Sequence, residues 1–201
     1  REIEIGYGLA RAHRISYVGE LGWELYVSSD MACHVFEEIE KAGKSHELKL
    51  CGLHTLDSCR IEKGFRHFGH DITDEDHILE AGLGFTVNLS KGDFIGKEAF
   101  LEKKDLGVER RMLQFKLLDP DEMLFHNEPI LRNGEIVSYL TSGNYGHYMG
   151  GAIGLGYVPC KGEKTVDIIE SKYEIDIAGK TVEAIASIKP MYDPKAVRVK
   201  G

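Results

Sequence analysis

The sequence predicts an α+β protein in two parts, a mixed helix-and-strand half followed by an antiparallel β barrel or sandwich. Three observations carry this reading. In the first half, apolar residues recur at steps of three and four between short alternating runs. After about residue 110 the period falls to two and stays there, with turn signals at close spacing. The length of 201 residues, 42% of them apolar and 29% charged, is enough to bury a core without disulfide staples or a structural metal.

Each element has its own signal. Residues 13–18 and 23–27 read as strands joined by Gly19-Glu20-Leu21-Gly22. Ser28-Ser29-Asp30 offers helix caps, and Met31, Val35, Phe36, Ile39 and Ala42 then form the apolar face of a helix ending at Gly43. A short strand is expected at 48–50. Leu53, Leu56, Asp57, Arg60 and Ile61 belong to a second helix closed by Gly64. Residues 65–86, dense in His, Gly and Asp, read as loop, and 97–104 as a short helix stopped by Gly107. Strands are expected at 111–118, 130–131, 135–141, 152–158, 165–169, 173–177 and 181–188. Asp119-Pro120-Asp121, Arg132-Asn133-Gly134, Pro159-Cys160-Lys161-Gly162 and Ala178-Gly179-Lys180 supply the turns. The boundary is expected near 105–109, which gives domains at 1–106 and 107–201.

Composition excludes some functions. Lys and Arg total 25 against 33 Asp and Glu, a formal charge of −8, so there is no basic face for nucleic acid. No apolar run approaches a membrane span. No signal peptide is expected in the opening residues given, and a chain opening at Arg1 is expected to be cut from something longer. Cys33, Cys51, Cys59 and Cys160 form no C-x-x-C pair and are expected to be small core residues kept as thiols. His54, His67, His70 and His77 lie close in sequence with Asp71. Gly69 between two of them disfavours a helical metal face, and ordinary loop hydrogen bonding is expected instead of a metal. The glycines at 150–156 run into a strand rather than opening a helix, which excludes a dinucleotide fingerprint and fits a bulged or tightly curved strand. No G-x-S-x-G elbow is present.

Two residues stand out for chemistry. Glu20 sits in a glycine-bracketed turn, where bare backbone lets a ligand come close. Its two coplanar acceptor oxygens suit a ring edge with adjacent N–H donors, as an amino-pyrimidine presents. A solvated hairpin carboxylate is the plainer reading. Arg60 can take a polar ligand edge or pair with Asp57 one helical turn away.

Five motifs in order resemble the aminomethyltransferase (glycine-cleavage T-protein) superfamily. Tyr17-Val18-Gly19-Glu20-Leu21-Gly22-Trp23-Glu24-Leu25 resembles its Y-T-G-E-x-G-x-E segment, and Asp57-Ser58-Cys59-Arg60-Ile61-Glu62-Lys63-Gly64 its D-S-L-R-x-E-x-G helix. Leu79-Glu80-Ala81-Gly82-Leu83 and Asp93-Phe94-Ile95-Gly96-Lys97 match L-E-A-G-L and D-F-I-G-[KR]. Thr141-Ser142-Gly143 followed by 152–158 resembles the barrel signature. The run from Arg60 to Ile72 is similar to the flavoprotein branch, the dimethylglycine and sarcosine dehydrogenases.

The resemblance implies a ferredoxin-like folate-binding half-domain followed by an antiparallel Greek-key β-barrel. It implies a C-terminal tetrahydrofolate-binding fragment of an oxidative demethylase, capturing the one-carbon unit of an N-methyl amine as 5,10-methylenetetrahydrofolate. Glu20 then grips the pterin and Arg60 contacts folate, while Tyr17, Trp23 and Tyr192 line the same pocket. FAD, the family's catalytic aspartate and the amine-specific groups are expected in a region upstream of Arg1, so the chain alone is expected to carry no complete active site. The compartment is expected to be cytoplasmic in a bacterium and the mitochondrial matrix in a eukaryote. Alternatives are part of a glycine-cleavage aminomethyltransferase, which needs a lipoyl-protein partner and no flavin, and a non-catalytic folate-binding or regulatory relative.

Overall fold

The computed structural model describes residues 1–201 and divides into two units, 1–57 with 195–201, and 58–194. The first unit is built on β1 (Glu2–Ile5), β2 (Gly8–His13) and β3 (Glu24–Val27), an antiparallel meander in that order. Buried and exposed residues alternate along β2, and Ala10 and Ala12 are its buried positions. α1 (Ala32–Gly43) follows, with Val35 buried and Lys41 in its last turn, where a cation suits the helix dipole.

This unit differs from the sequence expectation in four places. The strand expected at 13–18 lies one element earlier, ending at His13, because it pairs with β1, for which no strand was expected. Residues 14–18 and 48–50 are in no strand. The helix cap is Met31, without a side-chain hydrogen bond, so Ser28 serves through its carbonyl, which accepts from the Met31 N–H at 3.0 Å.

The second unit is a closed six-stranded antiparallel barrel. β4 (Arg110–Leu117), β5 (Pro129–Arg132), β6 (Glu135–Gly146), β7 (Gly151–Pro159), β8 (Tyr173–Ile177) and β9 (Lys180–Ser187) close in the order β4-β7-β6-β5-β8-β9. β4 lies beside β7 after the chain has passed through β5 and β6, a Greek-key arrangement. Leu113, Phe115 and Leu117 of β4 fill the interior with Ile130, Leu140, Tyr173 and Ile175. β7 is buried on both faces along almost its whole length. On its inner face a Cβ at Gly154 would stand 2.8 Å from Leu140 Cδ1, and one at Gly156 2.6 Å from Ile130 Cδ1. Those glycines therefore make room for large side chains from the neighbouring strands. On its outer face Ile153 and Leu155 pack with Ile61.

Ile61 comes from α2 (Leu53–Glu62), and α3 (Lys97–Leu106) ends at Gly107 with φ 83°. Residues 165–169 form a short helix, α4 (Thr165–Ile169), where a strand was expected. Their β-branched composition favours a strand only weakly, and burial of Ile168 against the barrel core overrides it. The C-terminal turn is α5 (Val197–Lys200). Cys160 is buried, but Cys33 and Cys51 are exposed and Cys59 is half-buried, so the core-thiol expectation holds for Cys160 alone. No helix is long and apolar enough to cross a membrane.

Candidate functional site

In the first unit, the Gly19–Gly22 turn carries Glu20, and two further sequence-predicted residues, Tyr17 and Trp23, flank it. Gly19 is buried with φ 79°, a left-handed conformation that bare backbone adopts without strain. Glu20 and Tyr17 are half-buried, while Trp23 is 61% exposed and Leu21 50%. A carboxylate and a broad indole face thus stand within a few residues of each other on one turn. The combination suits a flat heterocycle, which needs an acceptor for its N–H edge and an apolar face for its ring.

In the second unit, Arg60 is buried at the core of a polar network. Its Nη1 donates to the Asp71 carboxylate at 2.5 Å and to the Phe65 carbonyl at 3.2 Å, and its Nη2 donates to Ser142 Oγ at 2.8 Å. Asp71, 1% exposed, also accepts from the His67 N–H at 2.8 Å and from Thr141 Oγ1 at 2.5 Å. Thr141 and Ser142 are consecutive, and a regular strand would aim them at opposite faces. The register of β6 shifts between Leu140 and Ser142, leaving Thr141 as the extra residue of a bulge, so both hydroxyls reach the network. The irregularity thus lies on β6, opposite the glycines of β7 where the sequence suggested it.

Tyr157 completes the network by donating its hydroxyl to the Asp71 carbonyl at 3.0 Å. Burial pushes this phenol well above its usual range, with the Asp76 charge acting in the same direction. The Arg110 guanidinium lies 4.5 Å over its ring. Burial also lowers the Arg66 pKa, although Asp71 pulls the other way; Arg66 donates to the Gly64 and Ala81 carbonyls.

Tyr192 is 6% exposed and packs edge-on against Tyr148 at 4.4 Å. The segment bearing it is tied down by Lys63, whose Nζ donates to the Asp193 carbonyl at 2.6 Å and carboxylate at 2.9 Å. A cavity of about 740 Å³ on the barrel unit is lined by Asp76, Glu80, Arg110, Tyr139 and Tyr157 among others. Its charges answer one another, since Arg110 binds both Asp76 and Glu80, and Lys103 binds Glu80. Of the clustered histidines, the rings of His67 and His70 pack at 4.6 Å and His77 stacks with Phe100. No group of three or more His, Cys, Asp or Glu is arranged to hold a metal ion.

In the sequence Asp71 stands out only beside the clustered histidines, and Thr141, Ser142 and Glu62 only as members of motifs, none of them as a partner of Arg60 or of the β6–β7 turn. Two of these pairings join distant positions, Arg60 with Ser142 and Glu62 with Tyr148, and leave no local spacing to read.

A three-stranded meander with its helix, joined in sequence to a closed Greek-key barrel, defines the fold class, and comparison with known proteins gives the family. The GCVT N-terminal domain matches residues 1–91, and the glycine cleavage T-protein C-terminal barrel domain matches residues 110–193. The chain belongs to the aminomethyltransferase (glycine-cleavage T-protein) superfamily, to its C-terminal part. It is 43% identical over its full length to the 4-methylaminobutanoate oxidase (formaldehyde-forming) of Paenarthrobacter nicotinovorans, and covers 24% of that protein. It is 38% identical over 96% of its length to the mitochondrial sarcosine dehydrogenase of Homo sapiens, and covers 21% of it. Among solved structures, the glycine cleavage system aminomethyltransferase T from Bartonella henselae superposes with a TM-score of 0.77 at 25% identity, over 91% of this chain and 49% of that one. The chain therefore spans a fifth to a quarter of the oxidase and dehydrogenase that it matches.

Proposed function

We propose that this chain is the tetrahydrofolate-binding part of an oxidative demethylase of the dimethylglycine or sarcosine dehydrogenase kind. The observation that carries the reading is the end-to-end match, at 43% and 38% identity, to two proteins named for the oxidation of N-methyl amines. One of them is named as formaldehyde-forming, which is the one-carbon unit a folate acceptor would capture. Folate, when bound, supplies the nitrogen pair that takes up that unit as 5,10-methylenetetrahydrofolate.

The residues present suit that ligand. Glu20 accepts from the N–H edge of the pterin and sets its orientation. Trp23 offers an exposed face, and Tyr17 lines the same turn. On the barrel unit, Tyr192 contributes a ring and Arg60 a guanidinium contact to folate, the guanidinium being held in place by Asp71 and Ser142. No acid–base residue for turnover is assigned to residues 1–201. FAD and the amine-binding groups are assigned to a region upstream. The domain boundary is placed at 106/107, between the α/β part and the barrel. The compartment follows the source, the mitochondrial matrix in a eukaryote and the cytoplasm in a bacterium.

Calorimetric titration of the chain with 5-formyltetrahydrofolate tests the reading. A hydrogen bond from a charged group contributes roughly 1.5–3 kcal/mol, so Glu20→Gln is expected to weaken binding by about tenfold to a hundredfold. Unchanged affinity in that variant removes Glu20 from the site. The unaltered chain is expected to bind without turnover, and robust folate-dependent turnover would show that the catalytic groups lie within it. Flavin copurifying with the native protein separates this reading from an aminomethyltransferase.

A further inference from the structure

The turn between β6 and β7 is unusual for a surface hairpin. Such turns favour small polar residues, yet this one reads His147-Tyr148-Met149-Gly150. Tyr148 is 65% exposed, and only its edge-on contact with the buried Tyr192 ring, at 4.4 Å and 63°, occupies it among the aromatic pairs.

Buried charge holds both rings in place. Glu62, 5% exposed at the end of α2, accepts through one carboxylate oxygen from the N–H groups of Tyr148 at 2.8 Å and Met149 at 2.9 Å. Gly146 seats the turn against it, since a Cβ there would stand 3.0 Å from that oxygen and 2.5 Å from Ile153 Cδ1. The Tyr192 segment is held by Lys63 through Asp193 and by Gln114, whose Oε1 accepts from the Met191 N–H at 2.7 Å. Gln114 Nε2 donates to the Ile61 and Glu62 carbonyls, so the same helix end anchors both rings. Burying a carboxylate and an ammonium costs free energy, and hairpin stability alone does not call for it. Fixing a site in advance does.

We propose that Tyr148 is a further ligand-binding residue, presenting its open face to the flat conjugated part of a folate-type molecule, with Glu62 as its positioning residue. The inference rests on the folate reading above, in which Tyr192 already belongs to the site. An edge-to-face pair leaves the outer ring's face free to stack on a planar heterocycle or an aminobenzoyl ring, while the inner ring keeps the outer one upright.

The test is titration of the full chain with 5-formyltetrahydrofolate. Tyr148→Ala is expected to weaken binding roughly threefold to tenfold, and Tyr148→Phe to stay within about twofold, because the ring and not the hydroxyl does the stacking. Glu62→Gln keeps the accepting oxygen and should bind like the unaltered chain, whereas Glu62→Ala should match Tyr148→Ala. If Glu62→Ala fails to fold, the exposed Tyr148 variants decide the matter. Full affinity in Tyr148→Ala while Glu20→Gln binds weakly overturns this inference and leaves the folate reading standing. Equal losses in Tyr148→Phe and Tyr148→Ala overturn the stacking argument. An unaltered chain that binds no folate overturns both.

Discussion

The two regions that carry the family's motifs are built in opposite ways. Around Arg60 every feature serves retention: guanidinium and carboxylate are 3% and 0% exposed, and the hydroxyls of Thr141, Ser142 and Tyr157 close the network around them. Around Glu20 the turn leaves Trp23 and Leu21 largely in solvent. A buried polar network specifies one arrangement of chain, since each unsatisfied member would be costly. An exposed indole beside a half-buried carboxylate contributes little to holding a fold, and its surface is available to a ligand. A shared family motif therefore need not mean a shared role. The helix motif carries a buried network that the barrel unit needs, and the turn motif carries exposed surface on which the binding proposed above can be tested with little cost to the fold.

The sharpest way to break this contrast is to remove Asp71. Asp71→Ala leaves the Arg60 guanidinium buried without its carboxylate, a loss of about 3–5 kcal/mol in cases of this kind. Urea unfolding followed by circular dichroism should show that loss in the barrel unit. A change under about 1 kcal/mol would mean that the network is not what retains α2 on β6 and β7. Next in size is Gly156→Ala. The added methyl would meet Ile130 Cδ1 at 2.6 Å and the Tyr139 carbonyl at 2.9 Å, and overpacking of this kind costs about 1–3 kcal/mol. A thermal midpoint equal to that of the unaltered chain would show that β7 has more room than its glycines indicate.

A pH experiment sharpens the comparison. Burial by itself would raise the Glu80 carboxyl, but hydrogen bonds from Arg110 and Lys103, together with their charges, outweigh it and hold its pKa below the usual carboxylate range. A depressed folded pKa gives stability that is fully present above the unfolded value of about 4.3 and is lost as pH falls through the lower folded value. Unfolding midpoints measured between pH 7 and pH 3 should therefore fall at the acid end, and Glu80→Gln should flatten that slope. An unchanged slope in the variant would assign the acid loss to other carboxylates.

How far the sequence discloses these regions follows from the range of each interaction. The helix α1 is legible because Val35, Phe36 and Ile39 repeat locally, although of that apolar face only Val35 is buried and Phe36 is 50% exposed, and the barrel is legible because period-two runs and turn residues are local too. β1 has a signal in the alternation Glu2-Ile3-Glu4-Ile5, but four residues at a chain end weigh little where ends commonly fray. α4 misleads because Thr165, Val166, Ile168 and Ile169 favour a strand by composition, and only burial of Ile168 decides otherwise. Glu20 and Trp23 are marked by the glycines around them. Asp71, Glu62 and Ser142 are set by pairings across the fold, of which Arg60 with Ser142 spans 82 positions and Glu62 with Tyr148 spans 86. Periodicity contains nothing about such pairs.

The smallest expected change in stability comes from Trp23→Ala, and it bears most directly on the contrast between retention and binding. Trp23 is 61% exposed, so removing its side chain gives up little buried area, and stability should stay within about 0.5 kcal/mol. Affinity for 5-formyltetrahydrofolate should nonetheless fall, because a stacked aromatic face contributes about 0.5–1.5 kcal/mol beyond its area. Stability and affinity thus separate at Trp23, whereas at Asp71 stability must fall first and any loss of affinity follows from it. Both quantities can be read on the same samples, by urea unfolding and by calorimetry. A Trp23→Ala chain that loses stability as Asp71→Ala does would show that the turn is also a structural clamp, and the division of labour between the two motifs would then be gone.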